Sequence, residues 1–224
     1  MTPSSARRGS PGPLSPRIAA PDLPRVLEPQ TSLAPRADLL GAGIDGLGGD
    51  VSAAHARLAE TRIDGASVGR LDLTGASLSD VTITDVRAVE LVARDGAWRS
   101  VEITGGRIGT LDALRAGWDA VVLRGLRIDY LSLASAEVGD VLIADCEIGT
   151  LDVPDARLTR VRFEGCRADE IDTRGLRAAD LDLRGIEALA FTDPRALSGA
   201  WLDPRQAELH AAAFAAALGI RIAD

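Results

Sequence analysis

The chain's imidazoles are His55 and His210, and its thiols are Cys146 and Cys166. Metal binding or nucleophilic catalysis needs such groups gathered with a base, carboxylates or one another at motif spacing. The histidines stand 155 residues apart, and neither belongs to a zinc-type pair, a phosphate loop or a nucleophile elbow. The cysteines are twenty apart, with no further ligands near them. A disulfide between them is conceivable, but the expected role is that of small apolar residues in a reduced core. No catalytic centre, metal or cofactor is expected, and the chain does not read as an enzyme.

Charge is the other candidate chemistry. The 224 residues carry 33 acidic groups and 25 basic ones, all Arg, for a net charge of −8. That balance argues against broad nucleic-acid binding by the whole chain. Residues of one kind recur at multiples of twenty. Asp72, Asp112, Asp152 and Asp172 form one set; Arg87, Arg107, Arg127 and Arg167 form another, interrupted by Glu147. Val122 and Leu142 make an apolar pair at the same spacing. These sets become stripes only in a fold that lays residue n+20 over residue n. The acidic stripe would then suit a basic groove, and the Arg stripe an anionic partner, unless each is merely a solvated face. The apolar pair would mark a contact surface or lie under cover from residues 37–50.

The apolar pattern supplies such a fold. From about residue 51 to 190, apolar positions are spaced two, three, two, three. A helix would need spacings of three and four, and a flat strand would need two throughout. Short strands that turn every five residues satisfy the observed spacing. Leu and Val alternate at every tenth position from Leu71 to Val161, so like returns to like after twenty residues, and four sides make one square coil. Stacked coils would be separated by about 4.8 Å. Packing supports the period: Trp98 and Trp118 fall at inward positions, and the same coils carry Ala93 and Ala113 where neighbouring coils carry Leu73 and Leu133. Interiors at near-crystalline density require that compensation.

Segments such as Leu71-Asp-Leu-Thr-Gly-Ala-Ser-Leu and Leu181-Asp-Leu-Arg-Gly resemble the pentapeptide-repeat family, over roughly residues 51–190. The resemblance implies an all-β solenoid, a right-handed quadrilateral β-helix, here of about seven coils with a C-terminal capping α-helix. It implies a non-enzymatic protein-interaction or scaffold module. It also raises an alternative, since some members imitate duplex DNA and bind DNA gyrase or topoisomerase IV. Residues 61–190 hold 23 acidic and 16 basic groups, a net of −7, whereas duplex DNA of similar length, about 31 Å, carries roughly 18 charges. Shape favours mimicry more than charge does.

Residues 1–36 contain eight of the eleven prolines with a mildly basic balance, which predicts a disordered tail. Residues 37–50 are Gly-rich and read as a lead-in or cap. Beyond 190, Asp203-Pro204 predicts an N-cap and first turn of a helix over 204–218, stopped by Gly219. Leu209, Phe214 and Leu218 are its bulky residues, placed to cap the last coil and, as the resemblance also implies, to build a homodimer. No stretch approaches the ~20 apolar residues of a membrane span, and Arg7 and Arg8 precede no apolar run. A cytoplasmic protein with a protein partner, and without direct nucleic-acid or membrane contact, is expected.

Overall fold

In the computed structural model, which describes residues 12–223, fifteen parallel strands wind into one solenoid of about eight turns. Its register is the twenty-residue period. Leu71, Leu91, Leu111, Leu131, Leu151 and Ile171 stack in one column. Val81, Val101, Val121, Val141, Val161 and Leu181 stack in another. Every one of these side chains is buried. The core is thus a pile of aliphatic layers enclosed by four walls, and the walls face solvent with the alternate residues.

Three corners of each square coil are left-handed up to the last, where only Gly175 and Asp180 are. The backbone has positive φ at Asp95, Ser100 and Gly105, and again at Arg115, Ala120 and Gly125. Fifteen non-glycine residues adopt this conformation, each at a cost of about 1–2 kcal/mol. Asp and Asn tolerate it best. The chain has no Asn, and seven of the fifteen are Asp: Asp80, Asp85, Asp95, Asp140, Asp145, Asp155 and Asp180. Seven of the 33 acidic residues therefore serve the corners.

What sits one coil above a corner Asp follows from sterics. Gly105 lies over Asp85 and Gly165 over Asp145; a Cβ at either glycine would come within 2.9 Å of the carboxylate below. Where an arginine stands above instead, it grips the acid through two hydrogen bonds. Arg115 binds Asp95 at 2.7 and 2.9 Å, and Arg160 binds Asp140 at 2.6 Å twice.

The solenoid begins earlier than the periodicity suggests. Residues 38–56 form a complete first coil one residue short: Asp38 pairs with Arg57 and Gly48 with Ser67, before a shift between Gly49 and Val51 restores the step of twenty. The proposed lead-in is therefore a coil, too irregular to show the repeat. The expectation of a disordered tail is also corrected for residues 12–36. Glu28–Gln30 pairs as a strand with Ala42–Ile44, and residues 14–22 run in extended conformation along the rod. Residues 1–11 of that tail lie outside the described residues.

At the other end, the open carbonyls of the last coil are covered, which removes a strand edge that would recruit other chains. Leu183 N–H donates to the Trp201 carbonyl, and the Gln206 side chain donates to the carbonyls of Leu183 and Ile186, both at 2.7 Å. Asp203 caps α1 (Pro204–Leu209) in a reciprocal capping box with Gln206. The single helix expected over 204–218 is broken at His210 into α1 and α2 (Ala211–Ala217). His210 is buried; its Nε2 lies 3.1 Å from the Ala188 carbonyl and its ring meets Phe191 edge-on. Gly219, at φ +78°, ends α2 with the Ile220 N–H bonded to the Ala215 carbonyl, a Schellman closure.

Trp98 and Trp118 stack with ring centroids 5.2 Å apart and planes 10° from parallel, beside the buried Ala93 and Ala113. Trp118→Ala should leave a void that these alanines cannot fill and cost about 3–5 kcal/mol in chemical denaturation. An unchanged denaturation midpoint would contradict the inward stack.

Candidate interaction surface

Each expected surface residue occupies a definite wall. The acidic column is in register, Asp72–Val92–Asp112–Ser132–Asp152–Asp172. Its carboxylates are turned inward along the chain rather than out to a partner. Asp72, Asp112 and Asp172 each accept the backbone N–H two residues ahead, from Thr74, Leu114 and Arg174, at 3.0–3.1 Å. Ser132 does the same more weakly for Ala134 and donates to Asp152. These are Asx and Ser turns that end the strands of this wall. Arg94 binds Asp112 at 2.6 Å, and Arg174 binds Asp172. Asp112 and Asp172 are buried, whereas Asp72 and Asp152 are half-buried.

The Arg column differs. Arg87, Arg107 and Arg127 are all exposed and lie directly over one another. Arg107 reaches Asp129 at 3.0 Å and Arg127 reaches Glu147 at 3.5 Å, while Arg87 has no acidic partner among the described residues. Several stacked pairs elsewhere alternate in sign, as in Arg70–Glu90, Asp95–Arg115, Arg99–Asp119, Glu137–Arg157 and Arg167–Glu187, while Arg157 over Arg177 and Asp152 over Asp172 are like-charged pairs. Like charges stacked in adjacent strands repel.

Val122 and Leu142 stack as expected, Val122 buried and Leu142 half-buried. The segment beside them is not 37–50, which forms the first coil. It is residues 14–22: the Arg17 N–H donates to Asp140, two residues before Leu142, at 2.8 Å. Cys146 and Cys166 are free and buried, with Sγ atoms donating to the carbonyls of Ala144 and Ile143 at 3.2 Å. The neighbouring sulfur and burial push the Cys146 thiol up. At the C-terminal end Phe214 packs partly against the core, while Leu209 and Leu218 are 70% and 72% exposed. Sequence reasoning missed Asp140 and His210, whose partners are backbone groups that no side-chain pattern reveals.

Five-residue sides, corners at every fifth residue and a register of twenty settle the architecture. The chain is a parallel β-solenoid built on a five-residue side and a twenty-residue coil. No protein-family model and no curated protein matches it. Among solved structures, two trypsin-treated variants of QnrB1, described as a plasmid-mediated fluoroquinolone resistance protein, resemble it. One is 14% identical, covering 82% of this chain and all of its own, with a TM-score of 0.38. The other is 12% identical, covering 87% of this chain and all of its own, with a TM-score of 0.21. Likeness this loose lends no weight to any partner for this solenoid, whose own register defines its walls. Among the described residues no helix is long and apolar enough to cross a membrane, and no three of His, Cys, Asp or Glu cluster as metal ligands.

The turn acids make the solenoid sensitive to low pH. The Arg174 guanidinium, with a further hydrogen bond from Thr192, holds the Asp172 carboxyl at about 2. An unfolded Asp titrates near 3.9. The stabilisation is thus complete above pH ~4 and lost as pH falls towards ~2. Asp172→Asn, which keeps an acceptor for the Arg174 N–H, should destabilise by about 2 kcal/mol at neutral pH, with the deficit vanishing near pH 2. Urea titrations at several pH values check this, and a pH-independent deficit would contradict it.

Proposed function

We propose that the solenoid is a non-catalytic interaction scaffold, and that its contact surface is the ladder of Arg87, Arg107 and Arg127. One observation supports this choice. Three arginines are stacked on one another in the open, where Arg157 and Arg177 make only a pair, and Arg87 at the end of the run has no acidic partner among the described residues. That arrangement is unfavourable in isolation and is relieved by an acidic partner surface. The step of about 4.8 Å between coils fixes the spacing of the three backbone positions from which the guanidiniums project, so the ladder presents its charges at one regular interval.

The partner class is therefore an acidic protein face. DNA gyrase and topoisomerase IV, which the family resemblance suggested, remain the first purified partners to try. Their recognition of a DNA-like acidic surface finds less support, because the corner and turn aspartates are engaged within the fold.

The test compares the chain with its Arg87→Glu/Arg107→Glu/Arg127→Glu variant in cross-linking capture and in titrations against those topoisomerases. Capture of specific proteins should fall at least about tenfold with the charge reversal and weaken with salt, while the melting temperature holds. Equal capture by both chains would sink the ladder as the contact surface.

The same reading includes a two-fold dimer through the C-terminal end. Among the described residues ten large apolar side chains are exposed, and five of them lie between residues 189 and 222: Leu189, Leu209, Leu218, Ile220 and Ile222. Sedimentation should give a dimer that Leu209→Glu/Leu218→Glu converts to a monomer. A wild-type chain monomeric at high micromolar concentration would contradict it.

A further inference from the structure

Residues 14–22 cross the rod at right angles to its strands, along the corner column of Asp80, Asp140 and Asp180. Three carboxylates hold three backbone N–H groups: Asp180 that of Leu14 at 3.1 Å, Asp140 that of Arg17 at 2.8 Å, and Asp80 that of Asp22 at 3.2 Å. The spacing matches an extended chain. Eight residues at about 3.1 Å each span about 25 Å, and the five coils between Asp180 and Asp80 span about 24 Å. A helix of that length would reach only about 12 Å. Pro13, Pro16 and Pro21 are half-buried. They set the backbone for an extended path and bring no N–H that the wall would have to satisfy.

The wall beneath is unlike the others. Ala120, Val122, Leu142 and Ala144 occupy outward positions that carry charge elsewhere, and Val122 and Ala144 are buried. The segment forms no strand ladder with this wall; between Leu14 and Asp22 its backbone is held by side-chain carboxylates alone. Its attachment is correspondingly slight beside that of the coils, the mark of an element that opens locally.

We propose that this corner is a peptide-binding groove, that residues 12–24 are its resident occupant, and that its partner ligand is an extended, proline-punctuated apolar peptide that displaces them. The carboxylates at Asp80, Asp140 and Asp180 read backbone N–H groups at coil spacing, and the aliphatic floor takes the side chains between prolines. This surface is separate from the Arg ladder and does not depend on it. A tethered occupant competes at an effective concentration of order millimolar, so the groove is closed to weak ligands until the segment is loosened.

The donors can be removed without altering the extended backbone. In the full chain, Leu14→Pro/Arg17→Pro/Asp22→Pro deletes all three N–H groups. The probe is a fluorescent synthetic peptide with the sequence of residues 12–26, followed by anisotropy, with backbone 15N relaxation at Ile18 and Leu23 reporting release of the resident segment. The loosened chain should become mobile there and bind the peptide at least about tenfold more tightly than wild type. Adding Asp80→Ser and Asp180→Ser should then weaken that binding at least about tenfold; Ser100 occupies the same corner conformation, so the fold tolerates serine. Three results would overturn the proposal: segment mobility unchanged by the prolines, no peptide binding by a chain whose segment is released, or equal binding to wild type.

Discussion

Beyond the first coil, a residue of the solenoid has the residues twenty before and twenty after it as its nearest non-local neighbours, and that single constraint governs the rest. Inside, it demands layers that fill a square: Leu over Leu, Val over Val, and two tryptophans only because two alanines yield them room. Outside, it turns each wall into columns in which a charge is judged by the charges above and below it. At the corners it imposes a left-handed backbone that isolated residues avoid. A corner aspartate persists because something directly above it fits: a glycine that leaves space, as at Gly105 and Gly165, or an arginine that binds, as at Arg115 and Arg160.

This changes how the acidic composition is to be understood. Net charge is a statement about solubility and association, not about fold, yet here 11 of the 33 acidic residues hold corner or turn positions. With no Asn in the chain, Asp takes the left-handed corners and the turn positions at Asp72, Asp112, Asp172 and Asp182, where its carboxylate binds backbone two residues on. A surface assembled for these reasons resembles the phosphate array of a duplex only in sign. The informative surface features are the run of three exposed stacked arginines, with Arg87 unpaired among the described residues, and the aliphatic corner lying under an extended segment.

The period, the inward tryptophans, the paired alanines, the stacked cysteines and the Asp203 cap were all legible in the sequence, because each depends on side-chain type at a fixed spacing. What escaped has a common cause. The first coil is one residue short, so its periodicity is broken although its geometry is kept. The prolines of residues 12–36 signal low burial in a tail and pre-formed extension in a docked strap with the same letters; the anchoring carboxylates of Asp80, Asp140 and Asp180 decide between them, and their donors are backbone groups common to every sequence. His210 looked inert because its partner is the Ala188 carbonyl, and the break it makes between α1 and α2 follows from that anchorage. The acidic column was read correctly in register and incorrectly in direction, since an Asx turn and an open acid share one residue type.

The most direct test of the stacking constraint is an insertion series measured by thermal denaturation and near-ultraviolet circular dichroism. Duplicating residues 57–76 adds one full coil and keeps every later residue above its proper neighbour. Duplicating residues 57–66 adds half a coil and moves each later side to the opposite wall of the coils below. The account predicts a cooperative melt and a retained Trp98–Trp118 signal for the first chain, and loss of the cooperative transition for the second. Equal tolerance of the two insertions would contradict it.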